Sequence, residues 1–208
     1  MPKRIFDLLF SAAALVLLAP VFLLIALAIR WDSAGPVLFR QERVGRGGRV
    51  FRIRKFRTMV VDAPARGPAI TIGQDSRITR VGAWLRRTKL DELPQLLDVL
   101  RGDMSLVGPR PEVPQYVALY PADLRERVLS VRPGITDPVS LKLADEASVL
   151  AASADPERTY REELLPAKLR EAVAYAEQAS LWSDLRIIAA TVHAVWFKAS
   201  ADDVRHPQ

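Results

Sequence analysis

From Leu8 to Ile29 every side chain is apolar except that of Ser11. A helix over these 22 residues would be about 33 Å long, enough to cross a bilayer core of about 30 Å. Pro20 stands in the middle of the run. It lacks an N–H and crowds the carbonyl four residues back, which predicts a break or kink there. Lys3-Arg4 ahead of the run and Ala26-Leu27-Ala28 near its end have the look of a signal peptide, but the apolar stretch exceeds the roughly 7–15 residues of a cleaved signal core. Basic residues lie on both flanks, Lys3 and Arg4 before and Arg30, Arg40, Arg43, Arg46 and Arg49 after, and such flanks favour the cytoplasmic side. A helix that enters, breaks at Pro20 and returns satisfies both flanks, whereas a kinked full span satisfies one. Either arrangement embeds the segment in a membrane.

Beyond the run the hydrophobic period changes. Gly35-Pro36 marks a turn, Val37-Leu38-Phe39 reads as a short strand, and Gly45-Arg46-Gly47-Gly48 is a turn signal. In Val50–Phe56, Phe51 and Ile53 alternate with Arg52 and Arg54, so a β-hairpin with one basic face is expected. Residues 62–76 are rich in Pro, Gly, Ala and Asp and read as a loop. Ile78, Val81 and Leu85 give 78–87 helical spacing. A further helix is expected from Leu90 to Leu100, stopped by Gly102. Gly108-Pro109-Arg110-Pro111 excludes helix and predicts a rigid loop. Helices follow at 112–130 and at 156–178, the second interrupted by Pro166. Leu181–Ala199 sets Trp182, Trp196, Phe197 and Lys198 around an apolar face. Such a helix suits the head-group layer beside an N-terminal anchor, and its apolar face would also admit a homodimer.

Charge sharpens the picture. The net charge is +6, but residues 30–110 hold 17 Lys/Arg against 8 Asp/Glu, a net of +9, while residues 111–208 hold 11 against 15, a net of −4. An arginine-rich middle calls for an anionic partner such as phosphate groups, a nucleotide or nucleic acid. Nucleic acid fits poorly: aromatics are 7% of residues and are not interleaved with the arginines as stacking platforms. The chain has no cysteine, which excludes disulfides, zinc–thiolate sites and thiol nucleophiles. Its two histidines, His193 and His206, lie close to the end and leave little room for a Ser-His-Asp triad. Any metal would sit among oxygen ligands, which favours magnesium or manganese. At 208 residues there is room for one domain with its own core.

The richest chemistry lies in Arg86-Arg87-Thr88-Lys89-Leu90-Asp91-Glu92-Leu93-Pro94. Asp91 and Glu92 precede a proline and so fall in a helix's first turn, where free N–H groups stabilise anions. The plain alternative is a helix start with Thr88 and Asp91 as a capping box. With Arg86 and Arg87 adjacent and Arg110 on its stiff loop, the same residues suit phosphoryl transfer: carboxylates can hold a cation shared with a diphosphate, arginines can neutralise developing charge, and a carboxylate can attack phosphorus.

Four blocks stand in order: Lys55-Phe56-Arg57-Thr58-Met59, Leu90-Asp91-Glu92-Leu93-Pro94-Gln95-Leu96, Gly102-Asp103-Met104-Ser105-Leu106-Val107-Gly108-Pro109-Arg110-Pro111 and Arg132-Pro133-Gly134-Ile135-Thr136. Together they resemble the bacterial sugar transferase family, the monotopic phosphoglycosyl transferases. The resemblance implies an α+β, helix-rich fold with a proline-broken re-entrant membrane helix, a small β-hairpin and interfacial amphipathic helices. It implies residues 1–30 in the membrane, a catalytic domain over 31–200 at the cytoplasmic face of the bacterial inner membrane, and a polar tail over 201–208.

By the same likeness Asp91 is the nucleophile on the sugar-linked phosphate of a UDP-sugar, releasing UMP, and polyprenyl (undecaprenyl) phosphate then collects the phosphosugar. Mg2+ would sit at Asp91 and Glu92. Lys55, Arg86 and Arg110, with Pro109 and Pro111 framing the last, match phosphate- and nucleotide-contacting motifs, and Asp184 matches a further acidic position. Two departures stand out. Ala19 precedes Pro20 where members often have Ser, and Asp137-Pro138-Val139-Ser140-Leu141-Lys142 replaces a Gly-Trp-Ala-Gln-Val-Asn-Gly-Arg run that many members carry. The second departure leaves the sugar open. The competing expectation is a membrane-tethered basic binding or scaffold module without catalysis.

Overall fold

A computed structural model describes residues 2–66, 75–139 and 146–205. The N-terminal run forms two helices, α1 (Pro2–Leu17) and α2 (Ala19–Asp32), bent by 62°. The break falls at Leu18, and Pro20 occupies the first turn of α2, where a missing N–H costs nothing because that donor has no intrahelical partner anyway. No single helix among the described residues is long and apolar enough to cross a membrane; the bent pair together has the length and composition for a broken span or a re-entrant loop.

The polarity of α1 is inverted relative to a helix on a water-soluble protein. Leu9, Val16, Leu17, Leu23, Leu24 and Trp31 are exposed, whereas Asp7 and Ser11 are buried. Asp7 accepts from Ser105 Oγ at 2.9 Å and from the Leu106 amide at 3.3 Å. On α1 the buried residues are these polar ones, on α2 they are Ile25 and Ile29, and the apolar residues left outside on both helices form a surface that a lipid surround rewards.

The hairpin follows as β1 (Leu38–Val44) and β2 (Val50–Phe56), antiparallel, with Leu38 opposite Phe56 and Val44 opposite Val50. Gly47 and Gly48 take positive φ in its turn. The expected basic face is only partly realised. Arg52 is exposed, but Arg54 is buried and paired with Asp98, because that end of β2 is covered on both sides.

A one-turn helix α3 (Ala63–Arg66) lies inside the expected loop, and α4 (Arg80–Arg87) starts at a Thr79 cap whose side chain accepts from the Gly82 amide. A 3-10 helix (Leu90–Gln95) runs directly into α5 (Leu96–Arg101), which ends at Gly102 in the left-handed region. The helix expected over 90–100 is therefore present, with a tighter first half.

Three features depart from expectation. β3 (Ser105–Val107) pairs in parallel with β4 (Gly134–Thr136), a contact between strands too short to carry a readable alternation. The helix expected over 112–130 is divided into α6 (Pro114–Val117) and α7 (Ala122–Val128), because Pro121 cannot continue a helix. Later come α8 (Glu146–Ala152), α9 (Pro156–Thr159), a π turn (Tyr160–Leu164), α10 (Leu165–Gln178) and α11 (Leu181–Arg205). Pro166 does not interrupt α10; it sits in its first turn, and the irregularity is the π turn just before it.

Hydrophobic burial is divided among patches rather than gathered in one core. Ile25 and Ile29 of α2 pack with Phe56 and Leu85, tying the bent pair to the hairpin and α4. Phe51 and Ile53 pack on Val99 and Met104. Leu96, Leu106, Val107 and Tyr175 meet Phe6 and Leu15 of α1 and Ile187 and Ile188 of α11. Val113, Tyr116, Leu150, Tyr160 and Leu165 centre the C-terminal helices. On α11 the outward face shows Trp182, Leu185 and Val192. The side chains of Trp196, Phe197 and Lys198, together with Ser140-Leu141-Lys142 and His206, lie outside the described residues.

Candidate active site

The Asp91-Glu92 pair is built by an abrupt change of direction. Thr88 closes α4 by donating its hydroxyl to the Trp84 carbonyl at 2.9 Å. Its side chain is thus turned back into α4, and the capping box with Asp91 does not form. Lys89 then takes φ of 58°, the one positive φ outside glycine among the described residues. That conformation costs a side-chain-bearing residue about 1 kcal/mol or more, and it turns the chain so that the next residues begin the 3-10 helix. Asp91 and Glu92 lie in its first turn and are 7% and 9% exposed.

Their environments differ. Glu92 Oε1 accepts from Lys55 Nζ at 2.7 Å and from Arg110 Nη2 at 2.8 Å. Burial works against its charge, but the Arg110 and Lys55 cations and their hydrogen bonds outweigh it and hold Glu92 well below the usual carboxylate range. Asp91 Oδ1 is buried without a hydrogen-bond partner among the described residues. Burial pushes its carboxyl above the ordinary value, with the Lys55 charge pulling the other way. One acid is fixed and ionised; its neighbour carries an unspent acceptor.

The cations come from three directions. Lys55 is presented by β2. Arg86, on α4, donates from Nε to Thr58 Oγ1 at 2.9 Å, and its charge acts on Asp91. Arg110 rides the loop after β3, which is pinned at both prolines: the Gly134 amide donates to Pro109 O at 3.0 Å, and Arg43 Nη1 donates to Pro111 O at 3.0 Å. The crossing behind this loop needs glycine, since a Cβ on Gly108 would stand 2.3 Å from Arg132 O and one on Gly134 would stand 2.1 Å from the Gly108 amide nitrogen. Lys55, Arg86, Arg110, Asp91 and Glu92 are therefore brought together. Asp184 belongs to a different cluster, where it is buried, accepts from Tyr175 Oη at 2.7 Å and pairs with Lys3.

The sequence profile of the bacterial sugar transferases matches residues 1–198. The chain belongs to the bacterial sugar transferase family. It is 42% identical over 194 residues to the UDP-glucose:undecaprenyl-phosphate glucose-1-phosphate transferase of Caulobacter vibrioides, covering 91% of this chain and 68% of that protein. It is 40% identical to the undecaprenyl-phosphate glucose phosphotransferase of Komagataeibacter xylinus, covering 96% of this chain and 36% of that one. It is 37% identical to an Aeromonas hydrophila UDP-N-acetylgalactosamine-undecaprenyl-phosphate N-acetylgalactosaminephosphotransferase, over 93% of this chain and 43% of that one. The chain thus spans between about a third and two thirds of the length of these relatives.

Among the described residues no group of three or more His, Cys, Asp or Glu could hold a metal. Magnesium does not require one, because it commonly takes one or two carboxylates and completes its shell with phosphate oxygens and water. The unpartnered Asp91 Oδ1 fits that role, while Glu92 Oε1 is already taken by two cations. The sequence reading missed Thr58, which orients Arg86, and the buried Arg54–Asp98 pair beneath the site, whose partners are 44 residues apart. It also missed Arg43, which holds the Arg110 loop by its backbone and offers no motif of its own.

Proposed function

We propose that this chain transfers a sugar 1-phosphate from a UDP-sugar to undecaprenyl phosphate at the cytoplasmic face of the bacterial inner membrane. The observation that carries this reading is the asymmetry of the dyad, a buried Asp91 oxygen without a partner beside a Glu92 held by Lys55 and Arg110. The acceptor and the nucleotide follow the names of the relatives. Those names carry both glucose and N-acetylgalactosamine, so the sugar stays undefined.

In the proposed reaction an Asp91 oxygen attacks the sugar-linked phosphorus, the bond from that phosphorus to the bridging oxygen breaks, and UMP departs with the electron pair. The phosphosugar remains on Asp91 as an acyl phosphate. An oxygen of undecaprenyl phosphate then attacks the same phosphorus, and Asp91 leaves as a carboxylate, giving undecaprenyl diphosphate sugar. Lys55, Arg86 and Arg110 offset charge on the transferring group. Magnesium at Asp91, sharing the diphosphate, would supply further charge neutralisation. Glu92, clamped by two cations, keeps them aimed. In this reading residues 1–30 form a re-entrant anchor, supported by the break at Leu18 and the outward apolar faces, and residues 31–200 form the catalytic part.

The test is nucleotide release. Protein in nanodiscs receives magnesium, undecaprenyl phosphate and a panel of UDP-sugars, beside an Asp91→Asn control. UMP release with one sugar, lost in the control, is the expected result. Release of UDP would mean ordinary glycosyl transfer and would overturn the mechanism. Donor binding with no release under any condition would favour a binding module.

A further inference from the structure

The loop that carries Arg110 ends on Glu112, and this carboxylate gathers side chains from three separate elements. Tyr160 Oη, at the start of the π turn, donates to Glu112 Oε1 at 2.7 Å. Lys168 Nζ of α10 stands 3.6 Å from the same oxygen, and Arg43 Nη1 of β1 stands 3.7 Å from Oε2. The Glu112 backbone is held as well, since its carbonyl accepts from the Val44 amide at 2.9 Å. Tyr160 is itself fixed, its ring 4.7 Å from that of Tyr116 and with Lys168 Nζ 4.9 Å above it. Arg43 uses the same nitrogen that faces Glu112 to hold the Pro111 carbonyl.

Arg110 has a side chain 37% exposed and meets Glu92 through one nitrogen. A part-exposed arginine held by a single contact is placed more narrowly when its backbone is immobilised on both sides. Pro109 and Pro111 stiffen the chain locally but cannot place it against the dyad. That placement requires a contact reaching from the loop to the hairpin and to the C-terminal helices, and the Glu112 cluster supplies it. Charges then alternate in sign through Lys55, Glu92, Arg110, Glu112 and Arg43, with Arg110 and Glu112 joined through space and the other neighbours by ion pairs.

We propose that Glu112 is a positioning residue that acts through the Pro111 backbone and Arg43 to hold Arg110 at the donor's diphosphate, without itself touching substrate. The inference rests on the reaction proposed above. A π turn often accompanies a functional constraint, and here it delivers the Tyr160 hydroxyl to this carboxylate. An ordinary buried ion pair would affect stability alone. A positioning residue couples energetically to Arg110.

A double-mutant cycle on donor KM and kcat separates the two, using Glu112→Ala, Arg110→Ala and the double variant, with thermal unfolding followed in parallel. Glu112→Ala is expected to raise donor KM about tenfold or more, as a small displacement of a binding group does. The same change made in Arg110→Ala is expected to cost almost nothing further, because residues acting as one unit are non-additive. Glu112→Gln, which keeps an acceptor for Tyr160, is expected to restore part of the KM. Should Glu112→Ala fail to fold, Tyr160→Phe removes one bond to the carboxylate and takes its place in the cycle. Additive losses in protein of normal stability would overturn the role of Glu112 while leaving the reaction intact. A wild-type protein that releases no nucleotide from any donor would overturn the reaction, and this role with it.

Discussion

Asp91 and Glu92 are neighbours in the chain and opposites in their surroundings: Glu92 Oε1 takes two cations, and Asp91 Oδ1 takes no hydrogen bond among the described residues. Removing the charge of each should therefore have opposite effects on the fold. Glu92→Gln strands Lys55 and Arg110 and is expected to cost about 3 kcal/mol, the low end for breaking a buried pair, since Arg110 is part-exposed. Urea or thermal unfolding in detergent measures it. An unchanged midpoint would mean that the two cations are satisfied by solvent.

Asp91 gives the reverse sign. Its folded pKa is raised above that of the unfolded chain, so between the two values the folded state binds more protons. Stability from this group is full below the unfolded value, near ~3.9, and is lost as pH rises through the folded one. Above the unfolded value the buried carboxyl is therefore a burden on the fold. Asp91→Asn is expected to abolish turnover while raising Tm, by about 2–4 °C for each kcal/mol recovered in a domain of this size. Calorimetry at pH 7 without substrate checks it, and a lower Tm would contradict the argument. Glu92, with a depressed pKa, stabilises above its unfolded value and loses that contribution as pH falls.

Beneath the site, Asp98 receives the Arg54 amide at 2.9 Å and pairs with the Arg54 guanidinium, both residues buried. Asp98→Ala leaves a buried guanidinium without its counter-charge and is expected to cost about 3–5 kcal/mol. The double change Arg54→Met with Asp98→Leu should recover most of the loss, because an apolar pair avoids the desolvation of both charges. Comparing the unfolding midpoints of the three proteins decides the matter.

Gly108→Ala tests how the Arg110 loop is seated. The added Cβ would meet Arg132 O at 2.3 Å and the Gly134 amide nitrogen at 2.8 Å, so the loop or β4 must move. Overpacking of this kind costs about 1–3 kcal/mol, and activity is expected to fall further than stability because Arg110 is displaced with the loop. Equal donor KM in variant and parent would show that the crossing is slack.

How much of this was legible follows from the range of each interaction. The apolar run, the second hairpin strand and the helix ended by Gly102 are local patterns, and each is found where the pattern put it, whereas the first strand, expected over Val37-Leu38-Phe39, runs on to Val44. The Asp91-Glu92 motif pointed to the candidate site, yet nothing local shows that Glu92 alone receives the cations. That depends on Lys55 and Arg110, which are 37 and 18 residues away. Arg54 looked like the polar half of an amphipathic strand because Asp98, which buries it, lies far along the chain. The parallel β3–β4 pair escaped because strands of three residues have no period to read. Lys89 gave no sign of its positive φ, since glycine is the residue that ordinarily marks such a turn.

The absence of cysteine opens a direct test of the anchor. Single cysteines at Pro2 and Arg40, both exposed, flank the bent pair. A re-entrant anchor places both on one side, so an impermeant maleimide should label both in inside-out vesicles and neither in right-side-out ones. Opposite labelling of the two positions would establish a span.

The inverted polarity of α1 has a practical consequence for anyone preparing this protein. Lys3 donates to the Val107 carbonyl at 3.0 Å, Arg4 reaches the carbonyls of Leu100 and Met104, and Asp7 caps the strand at Ser105 and Leu106. The residues at the other end of those bonds lie on α5, which continues from the acidic pair, at Met104 just after it, and on β3, which leads into the Arg110 loop. Trimming the greasy terminus to obtain a tractable soluble fragment would strip the underside of the catalytic part, not a dispensable tether. If the pair is the proposed anchor, solubility has to come from a belt of detergent or lipid left around the helices, and inhibitors that wedge between α1 and β3 would reach the chemistry from the anchor side.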